Sequence, residues 1–300
     1  MIKIKVPATS ANIGPGFDTL GLALNLFNEI TLEKRMDSQK NIHWHNAEVS
    51  IEDDLNLVKT AIEYVLDKYN ASSIGYDLYM GRCDVPMSRG LGSSATAIVA
   101  GVYAANYLLD FAFDTEKSLL FATELEGHPD NVAPAIFGDM IISSFTEGQV
   151  IHDVVNFPEE IVFKVLIPSF ELSTSKARKA LPGTYSVKDC VFNMSRLGLL
   201  INCLHTKRFD LLPFAVEDAV HQPYRLPLIE SADLIFAKCK ELDTLGSFIS
   251  GAGPTLIALT DQKHAQNFDD VFIPFLKTLP SEWTLNTLTI NKSGTIYSVE

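Results

Sequence analysis

A segment rich in glycine and serine, Pro86-Met-Ser-Arg-Gly-Leu-Gly-Ser-Ser-Ala-Thr96, stands directly before a long apolar run. Gly90 and Gly92 permit backbone conformations that side chains forbid, and Ser93 and Ser94 can cap the helix that follows. The first amides of a helix and the positive end of its dipole favour phosphate. The spacing matches neither of the common nucleotide-binding glycine motifs. By itself the segment therefore indicates either a phosphate loop or a turn before a core helix.

A second polar loop, Ala8-Thr-Ser-Ala-Asn-Ile-Gly-Pro-Gly-Phe-Asp18, follows the alternating residues at the N-terminus. From such a loop, Asn12 and Asp18 can reach an amine or a hydroxyl of a small ligand. The same composition is typical of ordinary loops that contain Asx turns. Both interpretations stay open at this point.

Carboxylates and a histidine stand together in the segment Glu124-Leu-Glu-Gly-His-Pro-Asp-Asn131. Carboxylate oxygens beside a phosphate loop suit Mg²⁺, which takes oxygen ligands and keeps several waters. Glu124 and Glu126 lie two positions apart on a predicted helix, so they point to different faces and only one should serve a site. His128 is either a ligand-binding residue or a hydrogen-bonded loop histidine.

Two arginines, Arg178 and Arg225, are conspicuous among the polar segments of an acidic chain. Arginine binds carboxylate and phosphate groups bidentately, so the pair favours an anionic small ligand. A single surface arginine is more often only solvated. Gly251 opens a glycine turn, Gly251-Ala-Gly-Pro-Thr255, between two apolar strands.

Strands and helices mix along the chain without regular β-α-β alternation, which favours an α+β fold. Apolar residues at helical spacing predict helices at 57–69, 94–109, 115–126, 187–204, 209–219, 228–242 and 265–279, the last of them kinked or split at Pro274. Strand patterns cover 2–6, 29–34, 74–80, 140–144, 161–167, 248–250, 255–260 and 284–290, and a polar turn is predicted at 127–131. A polar stretch at 150–160 suggests a boundary between two domains, 1–156 and 157–300.

Length and composition narrow the function classes. A chain of 300 residues is long enough for about two domains, and its formal net charge of −13 argues against nonspecific nucleic-acid binding. The four cysteines form no C-x-x-C pair, which indicates free thiols in a reducing compartment. Residues 1–6 lack the apolar core of a signal peptide, and the longest apolar stretch is too short to cross a bilayer. We therefore expect a cytoplasmic protein with no nucleic-acid or membrane partner.

Four motifs, taken in their order along the chain, closely resemble those of the GHMP kinases: Asn-Ile-Gly-Pro-Gly-Phe-Asp, Pro-x-x-x-Gly-Leu-Gly-Ser-Ser, His-x-Asp-Asn-Val-Ala-Pro and Ser-Gly-Ala-Gly-Pro-Thr. Within this superfamily the chain is similar to the homoserine kinase family, through residues 12–18, 130–134 and the segments around Thr174, Arg178 and Arg225. The resemblance implies two α+β domains with ATP and substrate between them, the second domain being ferredoxin-like. It also implies a homodimer that transfers the γ-phosphate of ATP to the side-chain hydroxyl of L-homoserine, for threonine biosynthesis.

The same resemblance implies the roles of the site residues. The nucleotide phosphates are bound, through backbone amides, by the segment Pro86, Met87, Ser88, Arg89, Gly90, Leu91, Gly92, Ser93, Ser94, Ala95 and Thr96. Mg²⁺ is held by Ser94 and Glu124, which is favoured over Glu126 because Glu-x-x-x-His matches the spacing of mevalonate-kinase-like relatives. The amino-acid substrate is held by Asn12, Asp18, His128, Arg178, Arg225 and Gly251, the arginines favouring its carboxylate and Asp18 its ammonium or hydroxyl.

Mevalonate-kinase-like relatives have an aspartate positioned as a base, where this chain has Asn131, which cannot accept a proton. We therefore expect catalysis without a dedicated base, because a loose phosphoryl-transfer transition state places little demand on early deprotonation. Mg²⁺, the amides after Gly92 and Thr174 then carry the charge stabilisation. The expected catalytic residues are Asn131, Thr174 and Glu124.

Three other functions compete with this interpretation. Another GHMP enzyme, such as a mevalonate-type or sugar kinase, would not need both Arg178 and Arg225, because its substrate lacks an α-carboxylate. A hydrolase built on Ser93 or Ser94 with His128 and Asp130 lacks the G-x-S-x-G motif. A relative that only binds nucleotide is disfavoured by the intact carboxylate and the two arginines.

Overall fold

The alternating residues at the N-terminus form the centre of the first sheet. The computed structural model describes residues 1–44 and 56–300. In it, β1 (Ile2–Asn12) pairs antiparallel with the long strand β2 (Gly16–Lys34), and a register shift interrupts the pairing between Pro7 and Ala8. The predicted strands at 2–6 and 29–34 are thus parts of two longer strands. A short loop joins them, and Asn12 and Asp18 lie on either side of it.

Five further strands complete this sheet: β3 (Lys40–Trp44), β4 (Tyr76–Cys83), β5 (Met140–Thr146), β6 (Gln149–Val155) and β11 (Ile296–Val299). Their order is β11-β1-β2-β4-β3, with β5 pairing β2 and β6 pairing β5. The described residues of this half form four helices: α1 (Leu57–Lys68), α2 (Ser93–Leu108), α3 (Thr115–Glu126) and α4 (Pro129–Phe137). Helix α2 is apolar on most faces because it lies buried among the sheet, α1, α3 and α4.

The second half contains the strands β7 (Ile161–Pro168), β8 (Gly246–Ile249), β9 (Leu256–Asp261) and β10 (Trp283–Leu288), and the helices α5 (Thr174–Lys179), α6 (Val187–Thr206), α7 (Leu212–Ala215), α8 (Gln222–Arg225), α9 (Ala232–Glu241) and α10 (Ala265–Leu276). The sheet order is β10-β7-β9-β8, all antiparallel. This β-α-β-β-α-β arrangement is ferredoxin-like. The α+β class and the ferredoxin-like second unit are therefore confirmed.

Three expectations about elements are wrong. The helix expected at 209–219 is reduced to a short 3₁₀ turn and α7, because Pro213 is tolerated only in the first turn of a helix. The polar stretch at 150–160 begins with β6 rather than a linker. The last strand, β11, pairs with β1, so the end of the chain lies in the first sheet and not in a unit formed by 157–300. Helix α10 is continuous, with Pro274 inside it. None of the helices within residues 1–44 and 56–300 is long and apolar enough to cross a membrane.

Helix α4 approaches β2 so closely that only glycine fits at Gly21. A Cβ atom added there would lie 1.6 Å from the backbone oxygen of Asp130. We expect Gly21→Ala to destabilise the fold by at least about 2 kcal/mol, because backbone rather than a flexible side chain would have to move. The matched control is Gly198→Ala in α6, where a Cβ atom meets nothing within 4 Å; there alanine should stabilise by about 0.5–1 kcal/mol. Urea unfolding followed by circular dichroism measures both, and equal effects would contradict the close-approach argument.

Candidate active site

A cavity of about 120 Å³ lies where the two halves of the molecule meet. Its walls carry most of the residues that the motifs singled out, from six separate stretches of the chain: Asn12, Asp18, Ser88, Gly90, Gly92, Ser93, Ser94, Glu126, His128, Asp130, Asn131, Thr174, Arg178, Arg225 and Gly251. Segments that are far apart in sequence thus form one site, which holds both carboxylates and cations.

The first turn of α2 opens onto this cavity. Gly92, in a left-handed conformation with φ +69°, is the N-cap and supplies no side-chain hydrogen bond. The expectation that Ser93 or Ser94 caps the helix is wrong, because both are already helical residues. The first bond of the helix runs from the Thr96 amide to the Gly92 carbonyl (2.9 Å). The three amides before Thr96 therefore have no partner within the helix, which suits an anion.

The loop before α2 is fixed by hydrogen bonds from both halves of the chain. The Thr9 amide donates to the Leu91 carbonyl (3.1 Å), and the Ser250 hydroxyl donates to the Gly90 carbonyl (2.6 Å). The Arg89 guanidinium donates to the carbonyls of Pro168 and Ser169 at 3.1 and 2.7 Å. These bonds hold the loop rigidly between the two halves.

Only some residues of the predicted phosphate segment, 86–96, lie on the cavity wall, and the others support it. Ser88, Gly90, Gly92, Ser93 and Ser94 line the cavity. The remaining members lie behind it or beside it: Pro86, Met87, Arg89, Leu91, Ala95 and Thr96. Leu91, Ala95 and Thr96 are fully buried, whereas Met87 is exposed.

Glu126, and not Glu124, faces the cavity. The Ser94 hydroxyl donates to a Glu126 carboxylate oxygen at 2.7 Å. Glu124 lies at the surface, where it accepts a hydrogen bond from Tyr64 and pairs with Lys68 at 3.4 Å. Two positions along a helix turn a side chain through about 200°, so the expectation for Glu124 is corrected to Glu126.

The surroundings of Glu126 suit a cation. Burial raises the pKa of this carboxyl, and the hydrogen bond from Ser94 opposes that shift. Among the described residues, no group of three or more His, Cys, Asp or Glu side chains could hold a metal ion. The hydroxyl and carboxylate of Ser94 and Glu126 could therefore hold Mg²⁺ only together with oxygens from water or a bound phosphate, which is the way Mg²⁺ is commonly bound.

Asn12 is the last residue of β1 and Asp18 the third residue of β2, on either side of the loop that joins the two strands, and both have positive φ (+73° and +51°). The side-chain oxygen of Asn12 accepts from the Asp18 amide (3.0 Å), and its nitrogen donates to the Gly251 carbonyl (2.8 Å). The Asp18 carboxylate receives two hydrogen bonds from Arg178, at 2.9 and 3.0 Å. A bidentate pair of this kind closes one side of the cavity.

Arg225 is almost completely buried, with 2% of its surface exposed. Its Nη1 donates to the Gly251 carbonyl (3.0 Å) and contacts Nδ1 of His221 (3.3 Å), and its buried Nε has no hydrogen-bond partner among the described residues. Burial and the nearby Arg178 lower the pKa of this guanidinium, which nonetheless stays charged. A buried cation with an unpartnered donor at the wall of a cavity is well placed to bind an anionic group.

His128, Asp130 and Asn131 lie around the start of α4, where a plain turn was expected at 127–131. Pro129 begins the helix, so Asp130 and Asn131 occupy its first turn. His128 Nδ1 and an Asp130 carboxylate oxygen lie 2.5 Å apart. The Thr9 hydroxyl donates to the side-chain oxygen of Asn131 (2.8 Å), so Asn131 is left with N–H donors and no group that could take a proton. Thr174, the first residue of α5, lies across the cavity.

Sequence reasoning missed several residues that shape this site. Asp130 was weighed only for the competing hydrolase and given no role in the kinase site, although it is buried and contacts His128. Phe17 lies beneath both arginines, with its ring centre 5.1 Å from Arg225 and 5.8 Å from Arg178. His221 was passed over as well. Its signal was its place in His221-Gln-Pro-Tyr-Arg225, one helical turn before the arginine.

Comparison with known proteins places this site in a family. The model of the GHMP kinases N terminal domain matches residues 56–139, and that of the GHMP kinases C terminal domain matches residues 197–270. A homoserine kinase of Clostridium novyi (strain NT) is 42% identical over 295 residues, with 98% of each chain covered. The crystal structure of homoserine kinase from Cytophaga hutchinsonii ATCC 33406 matches with a TM-score of 0.88 at 28% identity, covering 99% of this chain and 97% of that one. The L. major mevalonate kinase in complex with R-mevalonate (TM-score 0.72, 17% identity, 97% and 96% covered) shares the fold alone.

The contact between His128 and Asp130 predicts a histidine that holds its proton tightly. Burial lowers the pKa of His128. The hydrogen bond and the charge of Asp130 together raise that pKa by more than burial lowers it, so the net shift is upward. In an NMR titration we expect His128 to titrate above the ordinary value of about 6.5 and Asp130→Asn to lower that midpoint. Glu124→Gln, on the far face of α3, is the control and should leave it unchanged.

The same shift affects stability. A folded-state pKa above the unfolded one stabilises the fold below the unfolded pKa, and this contribution is lost as pH rises through the folded pKa. Unfolding free energies of the wild type and Asp130→Asn should therefore differ most at mildly acid pH. A midpoint for His128 that is the same in both proteins would contradict the assigned contact.

Proposed function

Because the chain belongs to the GHMP kinase family and is a kinase, we propose that it transfers the γ-phosphate of ATP to the side-chain hydroxyl of L-homoserine and forms O-phospho-L-homoserine. The observation that carries this proposal is the placing of two arginines, one of them buried, beside a helix N-terminus that can receive phosphate. A substrate for this site would pair a carboxylate with Arg178 and Arg225 and direct a hydroxyl toward Ser94. A hydroxylated amino acid has both groups.

The acidic residues of the cavity support binding of the ammonium group of the same substrate. Asp18, which pairs with Arg178, and Asp130 supply negative charge to the same cavity. An amino-acid zwitterion presents one carboxylate and one ammonium, so it can replace the internal pairing of Asp18 with Arg178 by two pairings of its own. The small volume of the cavity, about 120 Å³, favours a short side chain.

The proposal includes ATP and Mg²⁺, and the residues present fit both. The unpartnered amides at the start of α2 suit the phosphates, and Ser94 with Glu126 suits the metal. When bound, Mg²⁺ would neutralise charge on the transferring phosphoryl group. Ser94 and Glu126 would hold the metal, and the loop at Gly90 and Gly92, which is fixed from both halves of the chain, would bind the phosphates through backbone amides.

We propose further that no side chain acts as a dedicated base. Asn131 orients the acceptor through its N–H donors, since Thr9 occupies its oxygen. The carboxylate of Asp130 is engaged by His128. Thr174, in the first turn of α5 and on the cavity wall, would donate toward the transferring group. Positioning and charge stabilisation then carry the rate.

A mevalonate-type kinase is the second candidate, because a mevalonate kinase shares the fold. Mevalonate also carries a carboxylate that the arginines would bind, but it has no ammonium, so the carboxylates of Asp18 and Asp130 on the cavity wall favour an α-amino acid over it. The resemblance to homoserine kinases also supports a cytoplasmic homodimer that serves threonine biosynthesis.

A coupled ADP-release assay with ATP and Mg²⁺ tests the proposed reaction. We expect turnover with L-homoserine and little or none with L-threonine, L-serine or mevalonate, because only homoserine combines the α-carboxylate with a hydroxyl at that reach. Turnover with mevalonate would replace the substrate and assign the two arginines other duties. No turnover with any of the four would overturn the proposal.

Two glutamates on one helix give a matched pair for the metal site. We expect Glu126→Gln to lower kcat/KM on the order of 100-fold, the loss typical of removing one charge-stabilising group from an active site, and to raise the Mg²⁺ concentration needed for half-maximal rate. Glu124→Gln makes the same chemical change on the opposite face and should leave both quantities near wild type. The reverse pattern would restore Glu124 as the ligand.

A further inference from the structure

We propose that His221 is a positioning residue that fixes Arg225 and Phe17 in the geometry that receives the substrate carboxylate. This inference rests on the proposed function and deepens it. His221 lies outside the cavity wall and touches no substrate position; it acts through the residues that do.

Both ring nitrogens of His221 are in use. Nε2 lies 2.8 Å from the carbonyl oxygen of Gly14, and Nδ1 lies 3.3 Å from Nη1 of Arg225. A carbonyl can only accept and a guanidinium can only donate. Only the neutral ring with its proton on Nε2 satisfies both partners, so the ring joins the loop between β1 and β2 to α8.

The surroundings of His221 keep the ring neutral. It is completely buried, and burial lowers its pKa. The charged groups that face it are Asp218, whose carboxylate lies 3.6 Å from Nε2, Arg225, and Asp18 farther off. A proton on Nδ1 would remove the acceptor that Arg225 uses and place a second positive charge beside the guanidinium.

Phe17 is the second residue that His221 controls. The two rings stack with centres 5.4 Å apart and 25° between their planes. Both substrate-side arginines lie over the same phenyl ring. The ring therefore sets the spacing between Arg178 and Arg225, and His221 supports it.

The two segments that His221 joins are each anchored separately. Asp218 accepts from the amides of His221 (2.8 Å) and Gln222 (2.7 Å), which fixes the turn before α8. Asn193 of α6 donates to the Pro15 carbonyl (2.8 Å) and so holds the loop. Loss of the imidazole should therefore leave both segments folded and disturb mainly their relative placement.

The test uses the full-length enzyme and two acceptors, L-homoserine and 3-aminopropan-1-ol, which has the amine and hydroxyl but no carboxylate. His221→Phe keeps a stacking ring and removes both polar contacts. We expect it to raise the KM for homoserine by about tenfold or more, the size of one lost hydrogen bond to a charged group. The KM for ATP should stay unchanged. The affinity for 3-aminopropan-1-ol, measured as substrate or as competitor, should also stay unchanged.

Two amide variants keep the proposal testable if His221→Phe does not fold. His221→Gln can reach both partners with a donor and an acceptor and should recover most of the affinity for homoserine, whereas the shorter His221→Asn should not. Tyr185→Phe is the control for general loosening, because the Tyr185 hydroxyl donates to the Val220 carbonyl (2.9 Å) in the same turn without contacting Arg225. It should leave the KM for homoserine near wild type.

Each outcome decides between the two proposals. Equal losses for homoserine and 3-aminopropan-1-ol, an unchanged KM in His221→Phe and His221→Asn, or the same shift in Tyr185→Phe would overturn the positioning role alone. A wild type that does not phosphorylate homoserine would overturn the proposed function, and the positioning role with it.

Discussion

The site depends on one constraint, the fixed position of the loop that leads into α2. Its carbonyls at Gly90 and Leu91 accept hydrogen bonds from Ser250 in one half of the molecule and Thr9 in the other. A Cβ atom at Gly92 would lie 1.9 Å from the Thr9 hydroxyl oxygen, so the loop can approach β1 only because that residue is glycine. The uncapped amides of α2 are therefore presented at a junction that both halves define.

The balance of charges in a small cavity is the second constraint on the site. Arg225 is buried without a carboxylate partner among the described residues, while Arg178 is engaged by Asp18. An unpaired buried charge is costly, and a ligand carboxylate removes that cost. The unpaired guanidinium of Arg225 therefore favours an anion at this point of the cavity. The free energy gained by pairing it with a carboxylate would help to orient a substrate there.

The two ends of the cavity that we propose for phosphate and for the amino acid share supporting residues. The Gly251 carbonyl accepts from both Asn12 and Arg225, and the next turn of the same segment packs against Gly90. A shift of the backbone at one end of the cavity would therefore move residues at the other end. Residues behind the wall take part in this linkage: Arg89 donates to the Pro168 and Ser169 carbonyls, and His221 contacts Arg225.

Much of this architecture could be predicted from the sequence, because the spacing of neighbouring apolar residues largely decides where helices and strands form. Apolar spacing located α1, α2 and α3 to within a few residues, and the order of the motifs identified the family and the ferredoxin-like second unit. The helix expected at 209–219 failed because one proline outweighs a favourable apolar pattern. Strand β11 was missed because four exposed residues carry no periodic signal.

The sequence by itself determined which residue types the site contains and that one of two glutamates must face it. Only the tertiary structure decided which one, because the choice depends on the rotation of α3 about its axis, and that rotation is set by packing against α2 and α4. It also decided that Arg225 is buried beside His221 and Phe17. Those contacts join the loop after β1 to a helix more than two hundred residues later, and no local pattern records a pairing at that separation.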